Sequence, residues 1–123
     1  LGGVHPGPGK NSFSVAVVVA NTGRVAGDEV VMVFHSAGRD VRARIGDSHP
    51  VPAKALVGFE RVRLEAGEQT TLRFDLQRGA LELVNASGLR HLYPGSHTLL
   101  FSRGHGADVA INVTAVGRDL VTL

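Results

Sequence analysis

The run at residues 13–20, Phe-Ser-Val-Ala-Val-Val-Val-Ala, constrains this chain most, because Phe13, Val15, Val17 and Val19 fall on one face only if the backbone is extended. A helix would scatter those four side chains around its surface, and β-branched valines favour strands in any case. Asn21-Thr22-Gly23 closes the run with turn residues, and Gly27-Asp28 makes a second break. Residues 29–36 form another strand that is apolar on both faces, with Val31 and Val33 on one side and Val30, Met32 and Phe34 on the other. A strand of that kind is usually covered on both sides. Residues 56–64 read as the next strand, Ala66-Gly67-Glu68 as a turn, and residues 69–76 as a strictly alternating strand with Leu72, Phe74 and Leu76 inward. Leu81-Glu82-Leu83-Val84 is a short strand, followed by turns at Asn85-Ala86-Ser87-Gly88 and Tyr93-Pro94-Gly95. Residues 96–102 and 108–115 are the last two strands, with Gly104-His105-Gly106 as the hairpin turn between them.

Seven or eight short strands with regularly spaced turn signals define an all-β chain, an immunoglobulin-like β-sandwich, with a closed barrel as the architectural runner-up. No segment shows a convincing helical period, and residues 37–53 read as a loop carrying Arg39, Arg42 and Arg44. At 123 residues the chain is one domain. Residues 1–11 read as a linker or divergent first strand, because they are rich in Gly and Pro, and residues 12–123 as the sandwich.

Several functions are excluded or disfavoured. The absence of cysteine rules out disulfides and thiolate metal sites. The sequence pI near 9.7 reflects positive charge carried almost wholly by Arg, while the net charge is only +2, so nucleic-acid binding is not expected. No apolar run is long enough to span a membrane, and residues 1–10 lack the order of a signal peptide.

Three stretches go further: residues 21–31, beginning Asn-Thr-Gly; residues 52–68, containing Leu56-Val57-Gly58-Phe59-Glu60-Arg61-Val62 and the Gly67-Glu68 turn; and Gly88 followed by Tyr93-Pro94-Gly95-Ser96. Together they resemble the fibronectin type III-like domain of family 3 glycoside hydrolases, the β-glucosidases and β-xylosidases, over roughly residues 15–102. The residues that carry the resemblance are Asn21, Gly23, Gly27, Gly58, Phe59, Glu60, Arg61, Gly67, Pro94 and Gly95. Their reading is structural. Asn21 and Gly23 suit a turn with left-handed backbone angles, Gly67 and Gly95 suit tight turns at positive φ, and Phe59 is expected as a core anchor. The chain differs from the family pattern at Met32 and Phe34, where Gln and Tyr are frequent, and at His97, where an aromatic is frequent. The first strand is short or missing, and the loop at 37–50 is long and basic.

The resemblance implies a parent enzyme that cleaves β-linked glycosides with two carboxylates, both in domains preceding this one, and working outside the cytoplasm. No residue here matches either motif, so no catalytic residue is assigned, and Glu60, Glu65, Glu68 and Asp75 are expected at the surface. The histidines His5, His35, His49, His91, His97 and His105 lack metal-site spacing, and no cofactor or metal is expected. His35 reads as a satisfied core or interface histidine. Asn85-Ala86-Ser87 and Asn112-Val113-Thr114 fit the N-glycosylation pattern, a weak signal.

The candidate interface residues are Met32 and Phe34, if Val31 and Val33 face the core, and Arg39, Arg42 and Arg44 as a contact loop to the catalytic domains or to an anionic glycan. In an extended segment Arg42 and Arg44 would share a face. The function expected is a non-catalytic accessory domain that packs on and stabilises the catalytic domains of the same polypeptide. A carbohydrate-binding module or a free protein-interaction module is the alternative; the first is disfavoured by the lack of Trp and the single Tyr.

Overall fold

The computed structural model describes residues 4–6, 12–104, 106–116 and 119–122, and His105 lies outside that set. In chain order the elements are β1 (Val4–Pro6), β2 (Ser12–Ala20), β3 (Gly27–Ala37), α1 (Arg39–Ile45), β4 (Ala55–Leu64), β5 (Gln69–Gln77), a 3-10 turn at Arg78–Leu81, β6 (Leu83–Val84), β7 (Arg90–His91), β8 (Gly95–Ser102), β9 (Val109–Val116) and β10 (Asp119–Thr122). They form two antiparallel sheets, β1-β2-β5 and β10-β9-β8-β3-β4, with β6 and β7 as a separate small hairpin. The architecture is an open sandwich, not a barrel.

The period-two pattern explains the core. Phe13, Val15, Val17 and Val19 of β2 are buried with Phe74 and Leu76 of β5. Against them pack Val31, Val33, Leu64, Leu99, Phe101, Ile111, Val113 and Ala115 from the larger sheet. Phe74 and Phe101 meet across the layers with ring centroids 5.5 Å apart, in a tilted arrangement.

Three expectations fail here. Residues 39–45 are helical, not loop. Val41 and Ile45, four apart, bury one stripe of α1 against Ala37 and Leu83, with Val51 and Tyr93 alongside. Helical geometry also turns Arg42 and Arg44 away from a common face.

The second failure is Phe59, which is 66% exposed. Val62 packs against the core and Leu64 is buried, and both lie on the face opposite Phe59 because they differ from it by odd numbers of residues. A β-bulge makes the arrangement consistent: Val33 pairs with Gly58 and Phe34 with Leu56, leaving Val57 as the extra residue of β4. Leu56 and Phe59, three apart, thereby reach the same outer face.

The turn at Asn21-Thr22-Gly23 also differs from expectation, since neither Asn21 nor Gly23 has positive φ. Asn21 works through its side chain. Its Oδ1 accepts from the Gly23 backbone N–H at 2.9 Å, and its Nδ2 donates to the carbonyls of Val25 and Leu64 at 2.9 and 3.1 Å. Backbone bonds from Asn21 to Glu68 and from Gly67 to Asn21 fasten the same loop to the β4–β5 turn. Gly67 has φ 77° and Gly95 φ 130°.

Candidate functional site

The outer face of the larger sheet carries an apolar group. Met32 pairs with Phe59 across β3 and β4, and Phe34 pairs with Leu56 on β4 and with Leu100 on β8. Met32 and Phe34 are partly covered by these neighbours, while Leu56 is 54% exposed and Val30 is also open. Lys54 places its ammonium 4.4 Å from the centroid of the Phe34 ring. At the other end Asp28 accepts from Arg61 at 2.8 Å and lies 3.6 Å from Arg63. The Arg61 hydrogen bond holds the Asp28 carboxyl below its ordinary range. The strand is thus apolar on both faces, and among the described residues the outer face is covered only in part.

Around the edge of β4 the surface continues into a groove of about 750 Å³, whose lining includes His35, His49, Leu56, Val57, Leu83 and Arg90. Arg90 is tied down by Glu82 at 3.0 Å and by the Gly79 carbonyl. His35 points inward with Val31 and Val33 and is 3% exposed. Its Nε2 lies 2.9 Å from Nδ1 of buried His97, whose own Nε2 lies 2.8 Å from the Tyr93 carbonyl. A carbonyl only accepts, so His97 carries its proton on Nε2, and its bare Nδ1 accepts from His35 Nε2–H. Burial lowers the pKa of both rings, that of His35 to about 4, with His97 and Arg42 adding to the effect on His35. By the same logic His49 donates from Nδ1 to the Pro50 carbonyl at 2.9 Å, and its Nε2 accepts from the Tyr93 hydroxyl at 2.8 Å.

The helix is locked onto β8. Asp40 accepts from the backbone N–H and the hydroxyl of Ser96, and the Ser96 hydroxyl bond lowers its pKa. The Gly38 N–H donates to the Ser96 carbonyl at 2.8 Å. A Cβ on Gly38 would collide with Ser96 Oγ and lie 2.6 Å from its carbonyl oxygen. At Gly95 it would sit 2.6 Å from Asp40 Oδ2 and 2.9 Å from Val41 Cγ2.

These contacts sort the residues singled out by sequence. Arg42 is a clip, donating to the carbonyls of Ala37, Pro52 and Ala53 at 2.9, 2.8 and 3.2 Å, so it is spent within the chain. Arg39 and Arg44 are exposed on α1, and the three arginines do not form one patch. Gly58 lies where a Cβ would meet Leu76 at 3.4 Å, and a Cβ on Gly27 would meet nothing within 4 Å. Pro94 is partly buried beside Gly95, and Glu60, Glu65, Glu68 and Asp75 are exposed. Among the described residues no three His, Asp or Glu side chains converge as metal ligands, and no helix is long and apolar enough to cross a membrane. The signal for the histidine pair was present in the sequence: His35 shares parity with Val33, and His97 with Leu99 and Phe101.

Two sheets, one inner core and a site made of surface, not of convergent reactive groups, define a sandwich domain of the immunoglobulin-like class. The model of the fibronectin type III-like domain matches residues 29–104, and the chain belongs to that family, in the form found in family 3 glycoside hydrolases. It is 32% identical over 106 residues to a probable exo-1,4-beta-xylosidase of Aspergillus clavatus, covering 85% of this chain and 13% of that one. Among solved structures it resembles a beta-glucosidase from Listeria innocua (TM-score 0.69, 28% identity), covering 84% of this chain and 13% of the other. It also resembles a family 3 beta-glucosidase of Bifidobacterium adolescentis (TM-score 0.67, 26% identity), covering 89% and 16%. The chain therefore spans about one-eighth of the length of the Aspergillus clavatus and Listeria innocua proteins.

Proposed function

We propose that this chain is a non-catalytic accessory domain of a β-glucosidase or β-xylosidase of glycoside hydrolase family 3, packing on the catalytic domains of the same polypeptide and stabilising them. The observation that carries the reading is the match of nearly the whole chain to about one-eighth of much longer glycosidases. The side-chain inventory agrees with it. Glycoside hydrolysis calls for two carboxylates facing one another across a bound sugar. Here the acids named above are exposed on β4, on β5 and in the turn between them, and Glu68 is engaged by the Glu65 backbone N–H. The histidines that line the groove are occupied, His35 by His97 and His49 by Tyr93 and the Pro50 carbonyl.

The test is to assay this chain and the full-length polypeptide side by side on aryl β-glucosides and aryl β-xylosides. Hydrolysis by the full-length polypeptide alone is the expected result. Turnover by this chain in isolation would refute a non-catalytic role.

A further inference from the structure

We infer that the domain docks on the remainder of its own polypeptide through the outer face of β3 and β4, with Phe59 and Leu56 as anchors and Met32 and Phe34 as the floor. The inference rests on the accessory-domain reading and adds the surface. Phe59 exposes 66% of its area and Leu56 54%, side by side on one sheet face and backed by partly buried Met32 and Phe34. An aromatic in the middle of such a patch is the residue type that dominates interface energetics. The patch also has the anatomy of an interface, an apolar centre between polar ends. Asp28, held by Arg61 and Arg63, stands at one end and Lys54 at the other.

The β-bulge at Val57 bears on the same point. Without the extra residue, Leu56 would fall on the inner parity with Val62 and Leu64, and the outer face would lose one of its two most exposed apolar groups. The backbone irregularity therefore assembles the patch. The occupant follows from length. In the relatives this domain is about one-eighth of a single chain, so a tethered partner is always present at high effective concentration. A tethered surface also keeps an open Phe and Leu pair covered, which limits aggregation. The arginines of α1 lie outside this face: Arg42 is committed to internal carbonyls.

The test uses the full-length polypeptide, with Phe59→Cys and, as a control on another exposed apolar site, Leu89→Cys, which is 64% exposed. The chain itself has no cysteine, so peptide-resolved mass spectrometry after maleimide treatment assigns each label. The thiol introduced by Phe59→Cys is expected to react at least tenfold more slowly than that introduced by Leu89→Cys, independently of protein concentration. Equal rates would overturn the docking face, and protection that vanishes on dilution would overturn it in favour of a second copy. A domain-deleted polypeptide separates the two levels. If deletion destabilises the remainder while position 59 stays reactive, the face is wrong and the accessory reading survives. If deletion changes nothing, that reading fails too.

Discussion

His35 donates through Nε2 to Nδ1 of His97 at 2.9 Å, and the two rings stack with centroids 5.1 Å apart. His97 must be neutral for this bond to form, because a proton on its Nδ1 would set two N–H groups against each other, and burial favours the neutral form of His35. The pair joins β3 to β8 at the end of the sandwich where α1 docks.

Stability should therefore fall in mild acid. The folded-state pKa of His35 is depressed from 6.5 to about 4, so between those values the unfolded chain binds more protons than the folded one. The contribution is fully present above about pH 6.5 and is lost as pH falls toward 4, with a ceiling on the order of 3 kcal/mol for His35. Urea melts at steps across that window measure it. The double variant His35→Leu with His97→Leu should show a much flatter acid limb; an unchanged slope would place the titration elsewhere.

Arg42 and Arg39 should behave differently although both are helix arginines. Arg42→Ala removes donors to three carbonyls, at a cost of about 1–3 kcal/mol. Arg39→Ala, at an exposed position, should stay within about 0.5 kcal/mol of the parent. Denaturant midpoints of the two variants decide it.

Gly38→Ala and Gly95→Ala should each cost about 1–3 kcal/mol through overpacking, and at Gly95 the left-handed backbone (φ 130°) adds strain. Gly27→Ala, with open space around it, should be close to neutral. Thermal melting of the three variants provides the comparison.

Asn21→Ala should cost about 1–3 kcal/mol, because three hydrogen bonds leave with one side chain, including the one that reaches Leu64 on β4. Hydrogen exchange should show the loss concentrated in the 21–26 loop and the β4–β5 turn. A loss spread evenly over the sandwich would contradict this local role.

The sandwich was legible because its inner strands obey one rule, and the buried faces of β2 and β5 follow from parity alone. The size of Phe59 suggests a core anchor, but its parity sets it apart from Val62 and Leu64; the bulge at Val57 then brings Leu56 to its side. Helix α1 is not legible in the sequence because seven residues give a single Val41–Ile45 repeat, too little to stand out as a period. Its stability comes from packing on Ala37 and Leu83 and from Asp40 on Ser96, which are tertiary contacts. Likewise each histidine's inward parity could be read, but the bond between them depends on how β3 pairs with β8, 62 residues apart in sequence.

The central claim is that this domain supports a larger glycosidase. The most direct measurement compares the melting temperature of the full-length polypeptide with that of the same polypeptide lacking this domain. A clear drop, with hydrolysis of aryl β-glycosides lost at a correspondingly lower temperature, is the expected result. An unchanged melting temperature and an unchanged thermal limit of activity would contradict the account.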